Sequence, residues 1–351
     1  ITLTECIKLN LNLRCASQIL YKIDSFTAAD PDALYAAVKN IPWEELIDFT
    51  GYFSVTSNVD NPTITTPLFA NLKVKDAIAD RMKELKGIRP DSGSDANRTV
   101  VHLYWKDNDA DIFIDTSGET LAKHGYRKIP GKAPMLEALA AGVILATKWD
   151  RSSPFVNPMC GSGTLAIEAA LIATNRAPGL FRMNYGFMHV IGYDEEVFFA
   201  ERRILKDQVI KNKEVQIVAT DISEDAVDVS RRNAKTAGVD GLITFEVCDF
   251  RDTQVPETPG AVVFNPEYGE RLGEHSKLET TYKAMGDFMK QHCKGYYGYI
   301  FTGNPDLAKK IGLKASRKVE FYNGKLDCRL LEYELYAGTK RTDGRGANDP
   351  A

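Results

Sequence analysis

From Leu136 onward, short apolar runs alternate with longer segments of helical period, and no other feature restricts the fold as much. Phe155–Asn157 reads as a short strand entering a glycine turn, and Thr164–Thr174 as a helix of Leu, Ile and Ala. Val215–Thr220 is a strand with Asp221 at its carboxyl end. Ser223–Ala237 is a helix in which Ser223 is the N-cap, Glu224 and Asp225 suit the first turn and Gly238 is the C-cap. Ile243–Val247, Ala261–Phe264 and Tyr296–Thr302 are strands. Lys277–Lys290 is a helix with Leu278, Tyr282, Met285 and Met289 on one face. Val319–Tyr322 and Arg329–Ala337, joined across Asn323-Gly324, form a terminal antiparallel pair. Such alternation predicts an α/β fold with a doubly wound, mostly parallel sheet.

The first 116 residues follow another pattern. Asn10–Lys22 and Pro31–Asn40 read as helices, the second with Asp30 as N-cap and Pro31 in its first turn. Phe53–Ser57 is a strand, and Leu72–Lys86 a helix with Leu72, Ala79, Met82 and Leu85, together with Ala77 and Ile78, on its apolar side. Thr99–Trp105 and Ala110–Asp115 alternate around a polar turn, as in a hairpin. This part is therefore a separate α+β unit. The polar tail from Thr342 is expected to be disordered.

Composition narrows the class. The 351 residues are 44% hydrophobic and 26% charged, with a net charge of −4, as in a soluble protein of two domains. That charge argues against unspecific polyanion binding but permits a local basic patch. No run approaches the ~20 apolar residues of a membrane span. Six cysteines without a C-x-x-C pair and five dispersed histidines make no metal site. With no secretory signal, reduced thiols in a cytoplasmic protein are the simplest reading.

In a doubly wound sheet, ligands bind beyond the carboxyl ends of the strands, and four features fall there. The loop Asn157–Thr164 lacks both the lysine of a phosphate-binding P-loop and a full G-x-G-x-x-G. Its glycines would let a ligand approach the backbone, above a helix N-terminus that suits a carboxylate, unless they only shape a tight turn. Asp221 could accept both ribose hydroxyls of a nucleoside cofactor, or cap the following helix. Asp249 could accept from an adenine amino group, or be a turn aspartate. Asn265-Pro266-Glu267-Tyr268 is the sharpest signal. A side-chain amide and a rigid backbone carbonyl can hold an exocyclic amine and aim its lone pair at a methyl group. Tyr268 offers a face on which an extruded base can stack. A plain proline turn is the alternative.

The order "NPMCGSGTLAIEAALIATNRAPGLFR", "ATDIS", "ITFEVCDF" and "FNPEYGERLGE" resembles the THUMP-domain class I methyltransferases, in particular the bacterial enzymes that make N2-methylguanosine in 23S ribosomal RNA. Earlier segments, "PDALYAAVKNIPWEELID", "FANLKVKDAIADRMKE" and "DTSGETLAKHGYRKIPGKAPMLEALAAGVI", look like that family's THUMP domain and its connection to the catalytic domain, so the likeness runs over about residues 5–338. It implies a THUMP-like RNA-binding domain over 1–116, a Rossmann-like methyltransferase domain over 117–340 and a tail over 341–351. The catalytic domain would have a seven-stranded, mostly parallel sheet ending in an antiparallel hairpin.

By the same resemblance the cofactor is S-adenosylmethionine. Asn157, Pro158, Cys160, Gly161 and Gly163 would line its methionine end, with Pro134 and its neighbours closing over that part. Asp221 would hold the ribose, and Asp249 with Phe250 would meet the adenine. Asn265, Pro266 and Tyr268 would hold the target guanine.

Two departures stand out. Asn157 occupies a position where the family usually has Asp, which removes a charge near the cofactor. Glu267 stands where the family usually has a second proline, and either points to solvent or takes up the released proton. RNA contact is expected along Asn71–Arg89, where six basic residues stand against three acidic ones, with Lys73, Lys75, Arg81 and Lys83 as candidates. Arg127, in the basic segment His124–Lys128, is a further candidate. The resulting reading is N2-methylation of a guanosine in RNA, ribosomal RNA before tRNA, with no metal or membrane partner. Adenine N6 methylation, and an RNA-binding assembly factor whose methylation has decayed, are the rivals.

Overall fold

The computed structural model describes residues 2–129, 135–211, 213–268 and 275–336. The chain opens with α1 (Leu3–Asn12), β1 (Leu20–Thr27), α2 (Pro31–Asn40), β2 (Tyr52–Asp60), α3 (Pro67–Lys86), β3 (Asp91–Gly93), β4 (Thr99–Lys106) and β5 (Asp109–Asp115). It continues with α4 (Glu137–Leu145), β6 (Phe155–Pro158), α5 (Thr164–Ala173), α6 (Glu195–Asp207), β7 (Ile217–Asp221), α7 (Glu224–Ala237), β8 (Ile243–Val247) and β9 (Ala261–Phe264). The last elements are α8 (His275–His292), β10 (Tyr297–Thr302), α9 (Pro305–Ala308), β11 (Arg317–Asn323) and β12 (Leu326–Glu334). No helix among the described residues is long and apolar enough to cross a membrane. The tail 341–351 and Ala337 lie outside the described residues.

The chain forms two compact units, Ile1–Gly125 with Asn175–Ile210, and Tyr126–Thr174 with the residues from Lys211 onward. The expected boundary between 116 and 117 is displaced: residues 117–125, and 175–210 with α6, fold with the first unit. Tyr185, Phe187 and Phe198 share a core with Ile7, Leu11 and Leu121. The Arg202 guanidinium donates to the carbonyls of Gly179, Leu180 and Arg182, closing the segment on itself. These partners are far apart in sequence, so no window of periodicity contains both.

In the first unit the strand order is β1-β5-β4-β2-β3. The expected hairpin of β4 and β5 is present, in register from Val100↔Asp115 to Lys106↔Asp109. Asp30 caps α2 as expected, accepting from the Asp32 and Ala33 amides. The helix expected over Asn10–Lys22 is corrected. A capping box at Thr2 and Glu5 starts α1 earlier, and the chain from Leu20 is a strand paired with β5. Pairing with a strand some 90 residues away overrides the local helical spacing. The core-facing side of α3 also differs in part: Ala79 and Met82 are buried, but Leu72 and Leu85 are exposed, while Val74 and Ala70 take their place.

In the second unit the sheet has seven strands in the order β8-β7-β6-β9-β10-β12-β11. β8 to β10 run parallel, and β12 pairs antiparallel with β10 and β11. The chain order reverses between β6 and β9, the switch point at which a ligand crevice opens. There β6 and β9 stay paired only through Phe155↔Ala261 and Val156↔Val262 and then part. On α8, Leu278, Tyr282, Met285 and Met289 all enter the core, as their spacing predicted.

Candidate active site

The loop after β6 is shaped by its backbone. Met159, Gly161 and Gly163 all have positive φ, at 59°, 57° and 80°. These left-handed residues fold the loop into a tight turn in which the Gly161 amide is taken by Asp221 and the Gly163 amide by the Cys160 carbonyl at 2.9 Å. Gly163 is the N-cap of α5 and supplies no side-chain cap, so the first-turn amides of α5 keep their donor capacity. Pro158 ends β6 beside Thr220. Cys160 is buried, which pushes its thiol up to about 12, and it stays protonated. Its amide donates to the Thr220 carbonyl at 2.8 Å.

Asp221 joins this loop directly. Its Oδ2 accepts the Gly161 amide at 2.9 Å and its Oδ1 accepts the Ser223 amide at 3.0 Å. Ser223, not Asp221, caps α7. Each carboxylate oxygen has a second lone pair, so a ribose hydroxyl can share it.

Asn157 is 1% exposed, and its Nδ2 donates to the Val263 carbonyl at 2.9 Å. That bond carries the link between β6 and β9 one step past the end of their ladder. The remaining oxygen, Oδ1, is buried and has no partner. An aspartate could not donate to Val263. Asn157→Asp should therefore lower stability by about 1–3 kcal/mol and weaken cofactor binding, read by thermal unfolding and titration calorimetry. A variant with wild-type stability and affinity would contradict this role.

Asp249 caps the turn at Phe250–Asp252 and is gripped by Arg251, Nε to Oδ1 at 2.8 Å and Nη2 to Oδ2 at 2.7 Å. The Arg251 bond holds its carboxyl below the usual range. Phe250 is 9% exposed and packs edge-to-face on Phe264 and Phe288. Pro134, with Ala133, lies outside the described residues.

Asn265 follows β9 immediately. The Tyr268 hydroxyl donates to Asn265 Oδ1 at 2.9 Å, and the Tyr268 ring meets Phe301 edge-on. Burial pushes the Tyr268 hydroxyl well above its usual range, so it remains a donor. Pro266 is buried and Glu267 exposed. Exposure places the Glu267 side chain toward solvent, the plainer of its two expected roles. Three residues that sequence reasoning missed set this turn. The Tyr282 hydroxyl donates to the Glu267 carbonyl at 3.2 Å and lies 2.9 Å from Thr302 Oγ1. Asn304 Nδ2 donates to the Tyr268 carbonyl at 3.0 Å. A polar pair at the end of β10 was the available signal. The extension Gly269–Leu272 lies outside the described residues.

The basic candidates fare differently. Arg127 is a correction: its side chain is 9% exposed, 3.3 Å from Glu137, and donates to Met135 and Thr164. Little guanidinium surface is left for an RNA phosphate. On α3, Arg81 is held by both Glu44 oxygens at 2.6 and 2.7 Å. Lys73 pairs with Asp32 at 2.7 Å, Lys75 lies 3.8 Å from Asp76, and Lys83 is exposed. The local excess of positive charge is thus offset by acids from α2 and the turn after it, which a count along one helix omits.

Residues 124–332 match the family described as RMKL-like, methyltransferase domain, and residues 28–115 match the THUMP domain family. The ribosomal RNA large subunit methyltransferase K/L of Syntrophotalea carbinolica is 39% identical over 333 residues, covering 92% of this chain and 47% of that protein. Its namesake from Psychromonas ingrahamii is 36% identical, with 95% and 45% covered. The chain spans about half the length of these curated relatives. A "possible methylase" from Clostridium difficile 630 superposes with a TM-score of 0.86 at 31% identity, covering 96% of this chain and 89% of that one. SMU.472, whose crystal structure is a complex with SAH, gives the same TM-score and coverage at 28% identity.

Proposed function

Because the chain belongs to the RMKL-like methyltransferase family, with a THUMP domain ahead of the catalytic one, we propose that it methylates the exocyclic N2 of a guanosine in large-subunit ribosomal RNA. The observation that carries this reading is the pairing, at one switch point, of the glycine loop and uncapped α5 terminus after β6, tied to Asp221, with the Asn265–Tyr268 turn after β9. The ribosomal substrate is supported by the names of the relatives.

The residues fit S-adenosylmethionine. Gly161 has open space where a side chain would stand, Asn157 keeps a buried acceptor without a partner, and α5 offers amides to a carboxylate. When bound, the cofactor supplies an activated methyl group on sulfur. Asn265 Oδ1 and the Pro266 carbonyl accept the two N–H bonds of the amine and aim its lone pair along the line of transfer. With the cofactor bound, the nitrogen would take the methyl as the carbon–sulfur bond breaks, and the amine's proton would pass to solvent water. Tyr268 fixes the orientation of the Asn265 amide while its ring flanks the base. Extruding that base from a paired stem costs a few kcal/mol.

Mass-spectrometric nucleoside mapping of ribosomal RNA and tRNA from a deletion strain tests the reading. Loss of one N2-methylguanosine from 23S RNA is expected. Retention of every such nucleoside would defeat it, and loss from tRNA alone would move the substrate.

A further inference from the structure

Two buried polar side chains tie the chain just before α4 to the glycine loop. Arg127 Nη2 donates to the Met135 carbonyl at 2.5 Å and to Thr164 Oγ1 at 3.1 Å, with Glu137 Oε2 3.3 Å away. Thr164 is the first residue of α5, and its hydroxyl lies 3.3 Å from Ser162 Oγ. Asn233, on α7 and 1% exposed, donates to the Ile129 carbonyl at 3.1 Å and the Ser162 carbonyl at 3.4 Å. Its Oδ1 accepts the Ile129 amide at 3.4 Å. Ile129 and Met135 are thus both pinned to the loop that begins α5.

Charge gives this arrangement a direction. Neither α4 nor α5 has a side-chain cap at its N-terminus. Each terminus carries about half a positive charge, and Arg127 and Glu137 cancel. The uncapped α5 terminus therefore offers amides to a carboxylate.

Resting on the methyltransferase reading, we infer that Arg127 and Asn233 are positioning residues for the methionine end of the cofactor. They hold the glycine loop and the start of α5 where the carboxylate is received, without acting on the adenosine end. Lysine in place of Arg127 keeps the charge that Glu137 requires but loses the forked geometry.

Titration calorimetry with S-adenosylhomocysteine and with methylthioadenosine, which lacks the amino-acid part, separates the two ends. Arg127→Lys should bind the first about tenfold more weakly and the second within about twofold of wild type. A filter-binding assay with transcribed 23S RNA should show unchanged affinity. The pair Arg127→Gln with Glu137→Gln, which leaves no unpaired buried charge, should give the same split if the lysine variant folds poorly. Equal losses on both ligands, no loss on either, or a loss confined to RNA would overturn the inference. A wild type that binds neither ligand would instead overturn the cofactor reading, and this inference with it.

Discussion

Asn265→Ala should slow methyl transfer by about two to three orders of magnitude while binding of S-adenosylhomocysteine stays within about twofold. The side chain stands directly after β9, on a turn held by Tyr282 and Asn304, with Thr302 hydrogen-bonded to the Tyr282 hydroxyl. Its Oδ1 already accepts one hydrogen bond, from the Tyr268 hydroxyl at 2.9 Å. A second lone pair on that oxygen remains for the substrate amine. Removing the amide leaves the amine held by one acceptor, and its lone pair stays spread into the base. In the proposed function Asn265 meets the base and not the adenosine, so the loss belongs in the rate. Single-turnover methylation of 23S RNA, with calorimetry for the cofactor, measures both quantities. A rate within threefold of wild type would remove Asn265 from the chemistry. Tyr268→Phe keeps the ring but not the donor, so a smaller loss there separates orientation of the amide from stacking.

Alanine at the two glycines of the loop should fail in two different ways. A Cβ on Gly163 would stand 2.9 Å from Ser230 Cβ and Oγ and 3.3 Å from its Cα, at a φ of +80°. Ser230 is fully buried on α7 and donates to the Gly161 carbonyl at 2.7 Å, so α7 itself must shift. Left-handed backbone costs about 1–2 kcal/mol and overpacking about 1–3 kcal/mol more. Gly163→Ala should therefore lower Tm by roughly 5–15 °C. A Cβ on Gly161 meets nothing within 4 Å, although its φ is also positive, at +57°. Gly161→Ala should fold with only the backbone cost yet bind S-adenosylhomocysteine at least about tenfold more weakly, because the new methyl enters the ligand's space. Thermal unfolding with calorimetry reads both variants. Identical behaviour would mean that the loop is a structural turn and no more.

Much of the second unit could be read from the chain in advance. The strand–helix alternation, the Ser223 and Gly238 caps of α7 and the apolar face of α8 are all local, since each depends on residues within a turn or two of one another. Asp221 was recognisable by its place at a strand end, but its bond to the Gly161 amide joins strands that only the sheet order brings together. Asn157 reads in the sequence as a missing charge. In the fold it is a donor that bridges β6 and β9 where their ladder stops.

The sequence by itself determined where the backbone must turn, which stretches can be helix or strand, and that a glycine loop and an Asn-Pro-x-Tyr turn both follow strands. Those properties come from φ restrictions and side-chain periodicity, which act over a few residues. Only the tertiary structure decided which cations remain on the surface. Arg127 and Arg81 look alike along the chain as members of basic segments, yet both are held by carboxylates from other elements. Burial next to a specific partner is a property of distance in space, and neither charge counts nor periodicity contain it. The same reason explains why residues 175–210 joined the first unit, and why Asn233 escaped notice until α7 was laid beside the glycine loop.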